Sequence, residues 1–420
     1  MSKDIKNVWI INHYADPPNI GKFNRHYNFA KNLIERGYNV KIFTASTIHT
    51  TPINMITNDS KYKVDYYNGV EYIFIKTSTY DNSDYKRVLN ILQYFIKVPF
   101  VTKKFGKPDL IFASSPHPLT WIAAKRVADR TGAYFVTETR DLWPETFVAM
   151  GKMKKNSIPA KILYRIERKI FEASDRLIFT MPGGADYVKE IGLDSSKADY
   201  INNGIVLKNF YDNVKNTNYI DEDLSDPNIF KVVFTGAIGR ANDLGRFIRA
   251  FEIIKKEGFD DIKFLIFGDR GEKEELEAYC KEKGIENVVF KGRVNKSEVP
   301  SILTQSDLQV LSLANLPSLF KYGLSPNKLF EYLAAGKPVI SNGECGYDLL
   351  EEKKCGKTVK GDSIEDMANG ILFFYDLFKN NKEEYDVYCS NALKTVKEFD
   401  FSVLTDRLED TFRKIQQEEI

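Results

Sequence analysis

The chain of 420 residues reads as two α/β domains, each built on a doubly wound parallel sheet. Three observations predict this class. Short apolar runs of strand length alternate with helix-length segments, the pattern of parallel α/β architecture. The alternation pauses once, at a polar stretch rich in Asn and Asp, and then restarts. The length also exceeds what one compact core usually holds.

In the first half, strands are predicted at 8–12 (VWIIN), 40–45 (VKIFTA), 70–75 (VEYIFI), 109–113 (DLIFA), 133–138 (AYFVTE) and 176–181 (RLIFTM). Helices are predicted between them near 22–36, 85–104, 117–131, 159–173 and 184–191. The pause covers 202–228, whose low periodicity suggests an interdomain linker. The second half predicts strands at 231–239, 262–269, 288–292, 308–312 and 337–342, again separated by helices. From about 363 the chain reads as helical, ending in 402–420. In sheets of this kind, ligands sit beyond the carboxyl ends of the strands.

Composition excludes several classes. With 43% hydrophobic and 28% charged residues, the chain is not a disordered one. A net charge of only +2 gives no global field for nucleic acid, so no nucleic-acid partner is expected. The four cysteines, Cys280, Cys345, Cys355 and Cys389, include no C-x-x-C pair and suggest neither a zinc site nor a disulfide framework. The first residues lack the layout of a signal peptide, and no apolar run reaches the ~18 residues of a membrane span. A cytoplasmic location is the expectation. His13, His26, His49 and His117 show no ligand-like spacing, and no metal is expected.

The most informative stretch is 325–340, SPNKLFEYLAAGKPVI. Ser325 suits the N-cap, and Pro326 suits the first helical position, where a missing N–H costs nothing. Asn327 and Lys328 would then present free amides at the positive end of the helix, a ready anion site. Glu331, one turn on, could accept hydrogen bonds from sugar hydroxyls. An ordinary capped amphipathic helix fits the stretch equally well at this point. The turn FTGAIGRAND (234–243) carries Gly236 and Gly239, which permit close approach of the backbone, and Arg240, which suits a phosphate. Gly292 and Arg293 follow another strand. Each turn alone reads as structural.

Together, GLSPNKLFEYLAAGKPVI, FTGAIG, FLIFGD and FKGRV resemble the nucleotide-sugar half of glycosyltransferases of family 4. Residues 19–46, ETRDLWPE (138–145) and YINNGIVLKNF (200–210) resemble signatures of that family's first half, so the likeness spans nearly the whole chain. These are retaining, metal-independent enzymes of the GT-B fold, in which two Rossmann-like domains face each other across a cleft. ETRDLWPE with GLSPNKLFEY resembles the branch that builds O-antigen and capsule units, including N-acetyl-fucosamine transferases.

The resemblance implies an acceptor-side domain at 1–205, with helix 402–420 packing back on it. It implies a linker at 206–228 and a nucleotide-sugar-binding domain at 229–401. The donor would be a nucleotide sugar, UDP-linked, carrying an N-acetylated hexosamine or deoxyhexosamine. The acceptor would be a polyprenyl-diphosphate-linked glycan, and no cofactor is implied. Donor contacts fall on Gly21, Gly236, Gly239, Arg240, Arg293, Leu324, Ser325, Pro326, Asn327, Lys328 and Glu331. Glu331 matches the second acid of the family's E-x7-E motif, whereas the first acid is replaced by Gly323.

In the first half, Lys22, Arg25, Glu138 and Arg140 fall on the acceptor side. Asp141 and His117 are the catalytic candidates. For Arg140 an ion pair with a nearby carboxylate is the alternative, and for His117 a plain helix-start role. Two other readings of the whole chain are a nucleotide-sugar 2-epimerase of the same fold and a non-catalytic nucleotide-sugar-binding subunit.

Residues 86–107 hold six Lys or Arg and no acid among apolar residues, and 151–170 hold seven basic residues against one acid. Such helices either lie on an anionic membrane, here the cytoplasmic face, or present a solvated basic face.

Overall fold

The computed structural model describes residues 4–18, 20–21, 24–49, 51–80, 84–115, 117–361 and 363–418. The chain divides into two compact units, Met1–Asn202 with Phe401–Ile420, and Asn203–Asp400.

The first unit is built on an eight-stranded sheet. Its strands are β1 (Asn7–Asn12), β2 (Asn39–Ala45), β3 (Tyr62–Tyr67), β4 (Val70–Ile75), β5 (Leu110–Ser115), β6 (Tyr134–Thr139), β7 (Arg176–Phe179) and β8 (Ala198–Tyr200). Their order is β3-β4-β2-β1-β5-β6-β7-β8. All pairs are parallel except β3 with β4. Central strands such as β1 are apolar on both faces because helices cover both sides. The edge hairpin β3–β4 turns at Asn68 and Gly69, both with positive φ (49° and 85°), as a tight primed turn requires.

Helices of this unit are α1 (Arg25–Glu35), α2 (Asp84–Val101), α3 (Pro118–Thr131), α4 (Glu145–Ala149), α5 (Ile158–Glu172) and α6 (Gly184–Glu190). The helix Phe401–Glu418 packs on α1. There Asn32 donates to Thr405 at 3.1 Å, and Arg36 pairs with Asp406 at 2.7 Å. On the other side α3 packs between α2 and α5, forming one helical layer. Trp9 and Trp121 are fully buried in this core.

The second unit holds a six-stranded, all-parallel sheet of β9 (Phe230–Thr235), β10 (Ile262–Phe267), β11 (Val288–Gly292), β12 (Leu308–Leu311), β13 (Val339–Ser341) and β14 (Gly356–Thr358). The order β11-β10-β9-β12-β13-β14 reverses direction between β9 and β12. Such a reversal opens a crevice at the strand ends.

The stretch 206–228, expected to be a linker, is instead folded into this unit. Helix α7 (Leu207–Asn216) buries Phe210 and packs on helices Val299–Thr304 and Asn327–Ala334. Asp221 caps the turn Glu222–Ser225 by accepting from the Asp223 and Leu224 amides at 3.0 and 3.2 Å. Lys291 on β11 binds Asp221 and Asp223 at 2.8 and 2.6 Å. The polar composition there serves capping and ion pairing, which a periodicity scan does not register.

Candidate functional site

In the second unit, the helix Asn327–Ala334 follows β12 in the chain and leads into β13. It starts one residue later than Ser325 as N-cap predicts: Pro326 is the N-cap, with extended backbone (ψ 132°) and no side-chain cap. Ser325 has another task. Its hydroxyl accepts from the Asn203 amide N–H at 3.0 Å, and its carbonyl accepts from Asn203 Nδ2 at 2.7 Å. The approach to the helix is thus tied down, and its first amides keep no intrahelical acceptor. Tyr332 locks the helix to the end of β9, its hydroxyl accepting from the Thr235 N–H at 3.1 Å.

Lys328 reaches from this helix to the first glycine turn. Its ammonium donates to Asn242 Oδ1 at 2.9 Å and lies 4.2 Å from the Phe234 ring centroid. Gly236, at φ +145°, leaves the space it needs, because a Cβ there would lie 3.1 Å from Nζ. Among the described residues Lys328 forms no ion pair. Burial pushes its amine down to about 8, opposed by Glu331. Glu331 is half-buried, and its carboxylate accepts no hydrogen bond among the described residues. Burial raises its carboxyl above the ordinary range, opposed by Lys296 and Lys328. One turn of helix therefore presents a cation and a carboxylate, neither held in an ion pair by a protein group among the described residues.

The surrounding turns are packed backbone to backbone. Gly236 donates its N–H to the Phe267 carbonyl at 2.9 Å, and Ile238 to that of Asp269 at 3.0 Å. A Cβ on Gly268 would lie 2.0 Å from the Gly236 oxygen, so this glycine supports the turn that receives Lys328. Gly268 and Asn242 are site residues that sequence reasoning missed. Glycine after β10 was the available signal for Gly268, whereas Asn242 had only its offset from the turn.

Gly239 borders open space. Arg240 is almost fully exposed, 3.9 Å from Glu272. Arg293 is exposed beyond the edge strand β11 and makes no hydrogen bond or ion pair with Lys328 or Glu331 among the described residues. Leu324 packs partly buried beside Gly343, where an added Cβ would lie 3.1 Å from its methyl.

Gly323, in place of an acid, has φ +90°, a conformation that strains any residue with a side chain. Its N–H donates to the Phe320 carbonyl at 2.8 Å, an oxygen that also accepts from Gly346 N–H at 3.0 Å. The backbone conformation thus favours glycine over an acid at this position.

In the first unit, the predicted residues gather at the carboxyl ends of β1, β5 and β6, in two separate networks. Glu138 is fully buried. It accepts from Arg25 Nε at 2.7 Å and from His26 Nε2 at 3.0 Å, and His26 Nδ1 accepts from Asn12 at 2.9 Å. Arg25 also donates to the carbonyls of Ile201 (2.8 Å) and Asn202. Burial acts to raise the Glu138 carboxyl, but Arg25, His26 and Arg140 together hold it far below the ordinary range.

Arg25 and Glu138, expected on the acceptor side, are thereby committed to each other. Three of the five guanidinium N–H groups are taken up in this way, and the side chain is buried, so little of it is open to a phosphate. Arg140 remains. It is half-buried, its Nε finds no partner, and it forms no ion pair among the described residues, because Arg25 and His26 already hold Glu138. Asp141 is exposed just beyond β6.

The second network runs through the imidazoles. Asn90 donates to the Ser78 carbonyl at 2.5 Å, which turns its oxygen to His13 Nε2 at 2.6 Å. His13 Nε2 therefore donates, and His13 Nδ1 accepts from His117 Nε2 at 2.8 Å. His117 stands at the N-cap of α3 with no capping bond from its side chain. Burial and the Arg87 charge push its imidazole down to about 3, so it is neutral near pH 7. Gly21 is packed against Asp16, whose carboxyl carbon would lie 2.2 Å from an added Cβ. Lys22 lies outside the described residues. Among the described residues, no group of three or more His, Cys, Asp or Glu is arranged to hold a metal ion.

Both halves match known families. Residues 24–209 match the family described as Glycosyltransferase Family 4, and 229–376 match Glycosyl transferases group 1. Together with the two parallel-sheet units, these matches make the chain a glycosyltransferase of GT-B type. The probable glycosyltransferase WbjE of Pseudomonas aeruginosa is 22% identical over 261 residues, covering 62% of this chain and 63% of that protein.

Solved structures agree in fold. Sucrose-phosphate synthase from Thermosynechococcus elongatus superposes with a TM-score of 0.71 at 17% identity, covering 98% of this chain and 99% of that one. Anabaena HepE in complex with UDP gives 0.67 at 15%, covering 97% and 100%. WaaG, a glycosyltransferase involved in lipopolysaccharide biosynthesis, gives 0.64 at 15%, covering 96% and 98%. At these identities the likeness establishes the fold alone.

Proposed function

We propose that this chain transfers a sugar from a nucleotide sugar, UDP-linked, to a lipid-linked glycan acceptor in surface-polysaccharide synthesis. The observation that carries this reading is Lys328 and Glu331, one turn apart near the start of a helix, neither held in an ion pair among the described residues, with Lys328 beside the glycine turn at Gly236. The helix-start amides and Lys328 take the diphosphate, and Glu331 takes the ribose hydroxyls. UDP bound to HepE supports the nucleotide. The likeness of ETRDLWPE to transferases of O-antigen and capsule units supports an N-acetylated hexosamine or deoxyhexosamine.

Chemically, the departing diphosphate gains negative charge as the glycosidic bond breaks. Fixed amide dipoles and an ammonium already aimed at that charge stabilise it without reorganisation. This supplies electrophilic assistance from the chain's own groups, with retention of configuration as the stereochemical outcome. In the first unit, Arg140 is a cation for the acceptor phosphate. The turn at Gly323 leaves the transferred sugar without the usual carboxylate, so backbone amides near Leu324 hold it.

The test is UDP release from a panel of UDP-sugars with and without a bacterial lipid extract. Release that requires the extract, and that fails in Glu331→Ala, is the expected result. A change of sugar without UDP release would identify an epimerase instead, and binding without turnover would identify a binding subunit.

A further inference from the structure

Among the described residues no helix is long and apolar enough to cross a membrane, yet α2 carries an apolar ridge turned to solvent. Tyr85, Val88, Leu89, Leu92, Ile96 and Phe100 are each between 40 and 72% exposed. Their spacing places them on one side of the helix, opposite Asn90, Tyr94 and Val98, which are fully buried. A ridge of this length, about 22 Å at helical rise, is more than the scattered exposed side chains of an ordinary surface.

Two features identify what covers it. The ridge has basic residues around it: Lys103 lies 5.6 Å from the Phe100 ring centroid, and Arg126 of α3 lies 4.8 Å from that of Phe95. From residue 85 to 107 there are six Lys or Arg and no acid. The same helical layer continues through α3 to α5, which exposes Ile158 (75%) and Ile162 (49%). Of the two acids of α5, Glu167 is buried and accepts from the Tyr187 hydroxyl at 2.6 Å, and Glu172 pairs with Arg168 at 2.9 Å, so the layer keeps an excess of Lys and Arg.

We propose that the α2–α3–α5 layer docks on an anionic lipid surface, with the α2 ridge entering the headgroup boundary and the lysines and arginines meeting lipid phosphates. A second copy of this chain is the poorer occupant, because two such faces, each with more Lys and Arg than Asp and Glu, would set like charge against like charge. This surface stands independently of the transfer reading and sharpens it in one respect. The inner side of α2 holds, through Asn90 and His13, the candidate residue His117. Docking therefore brings the strand-end site to about one helix diameter, roughly 10 Å, from the lipid. An acceptor sugar close to its lipid diphosphate fits that distance.

Flotation of the full chain with phosphatidylcholine vesicles, with and without phosphatidylglycerol, tests the proposal. Binding is expected only to the anionic vesicles, weakening as salt is raised. The double variant Leu92→Glu with Ile96→Glu changes only exposed positions, so it should keep the wild-type melting curve and UDP affinity. It should lose vesicle binding about tenfold or more, and Lys103→Glu with Lys104→Glu should lose less. Absence of wild-type binding, equal binding to neutral vesicles, or unchanged binding by the double variant overturns the proposal. So does a wild-type dimer that the double variant splits into monomers. Because UDP affinity is measured alongside, failure at the lipid face is distinguishable from failure of the donor site.

Discussion

The two units place charged residues at equivalent strand ends and treat them oppositely. At the end of β6 the Glu138 carboxylate is closed off by Arg25 and His26, all three buried. Around the helix Asn327–Ala334, Lys328 touches a neutral amide and an aromatic face, and the Glu331 carboxylate accepts no hydrogen bond among the described residues. Buried charge is costly unless paired. The first cluster meets that requirement within the protein and so reads as structure. The second leaves it unmet and so reads as a site that a ligand completes.

Glu138→Ala should have the largest effect, leaving a buried guanidinium uncompensated and costing about 3–5 kcal/mol of folding stability. A urea unfolding midpoint equal to wild type would remove the contrast between the clusters. The sign with pH follows from the depressed carboxyl. Its contribution is fully present above the ordinary carboxylate range and is lost as pH falls below it, and the variant should lack that acid sensitivity.

Lys328→Ala should act the other way. UDP binding, followed by calorimetry, should weaken about a hundredfold, the worth of a charge-assisted hydrogen bond. Stability should stay level or rise, since an unpaired half-buried charge is removed. A loss of stability with unchanged UDP affinity would make Lys328 a structural residue after all.

Glu331→Gln should weaken UDP binding about tenfold, and affinity equal to wild type would remove the ribose assignment. The pH dependence is a smaller and sharper measure. With its amine near 8, free Lys328 loses its proton as pH rises through that value. Wild-type UDP affinity should thus be flat below pH 8 and decline above it, by at most about tenfold per unit. Lys328→Met should be flat throughout. The smallest effect belongs to Gly323→Ala, where the positive φ should cost about 1 kcal/mol in thermal unfolding.

Much of the fold was legible because parallel α/β architecture writes its elements as local apolar runs. Strands β4 and β11 coincide with their predicted bounds, and β1, β2 and β10 fall within a few residues of theirs. The missed strands have physical reasons. Strand β3 is an edge strand of the sequence YKVDYY, half-exposed and weak in apolar content, although the Asn68-Gly69 turn after it was a usable signal. Strands β8 and β14 have only three residues each.

At the candidate site, Lys328 and Glu331 were readable from the helix-start pattern, but Ser325 was assigned the wrong partner. Its hydroxyl binds a residue 122 positions away instead of the helix beside it.

The sequence by itself determined the alternation of strands and helices, the restart at the second sheet, and the place of the phosphate-cradle helix, because each depends on neighbours within a turn or a strand. Tertiary structure alone decided which charges are neutralised. Arg25 meets Glu138 across 113 residues, and Lys328 meets Asn242 across 86. Coulombic pairing depends on distance in space and on burial, and neither is written in local spacing.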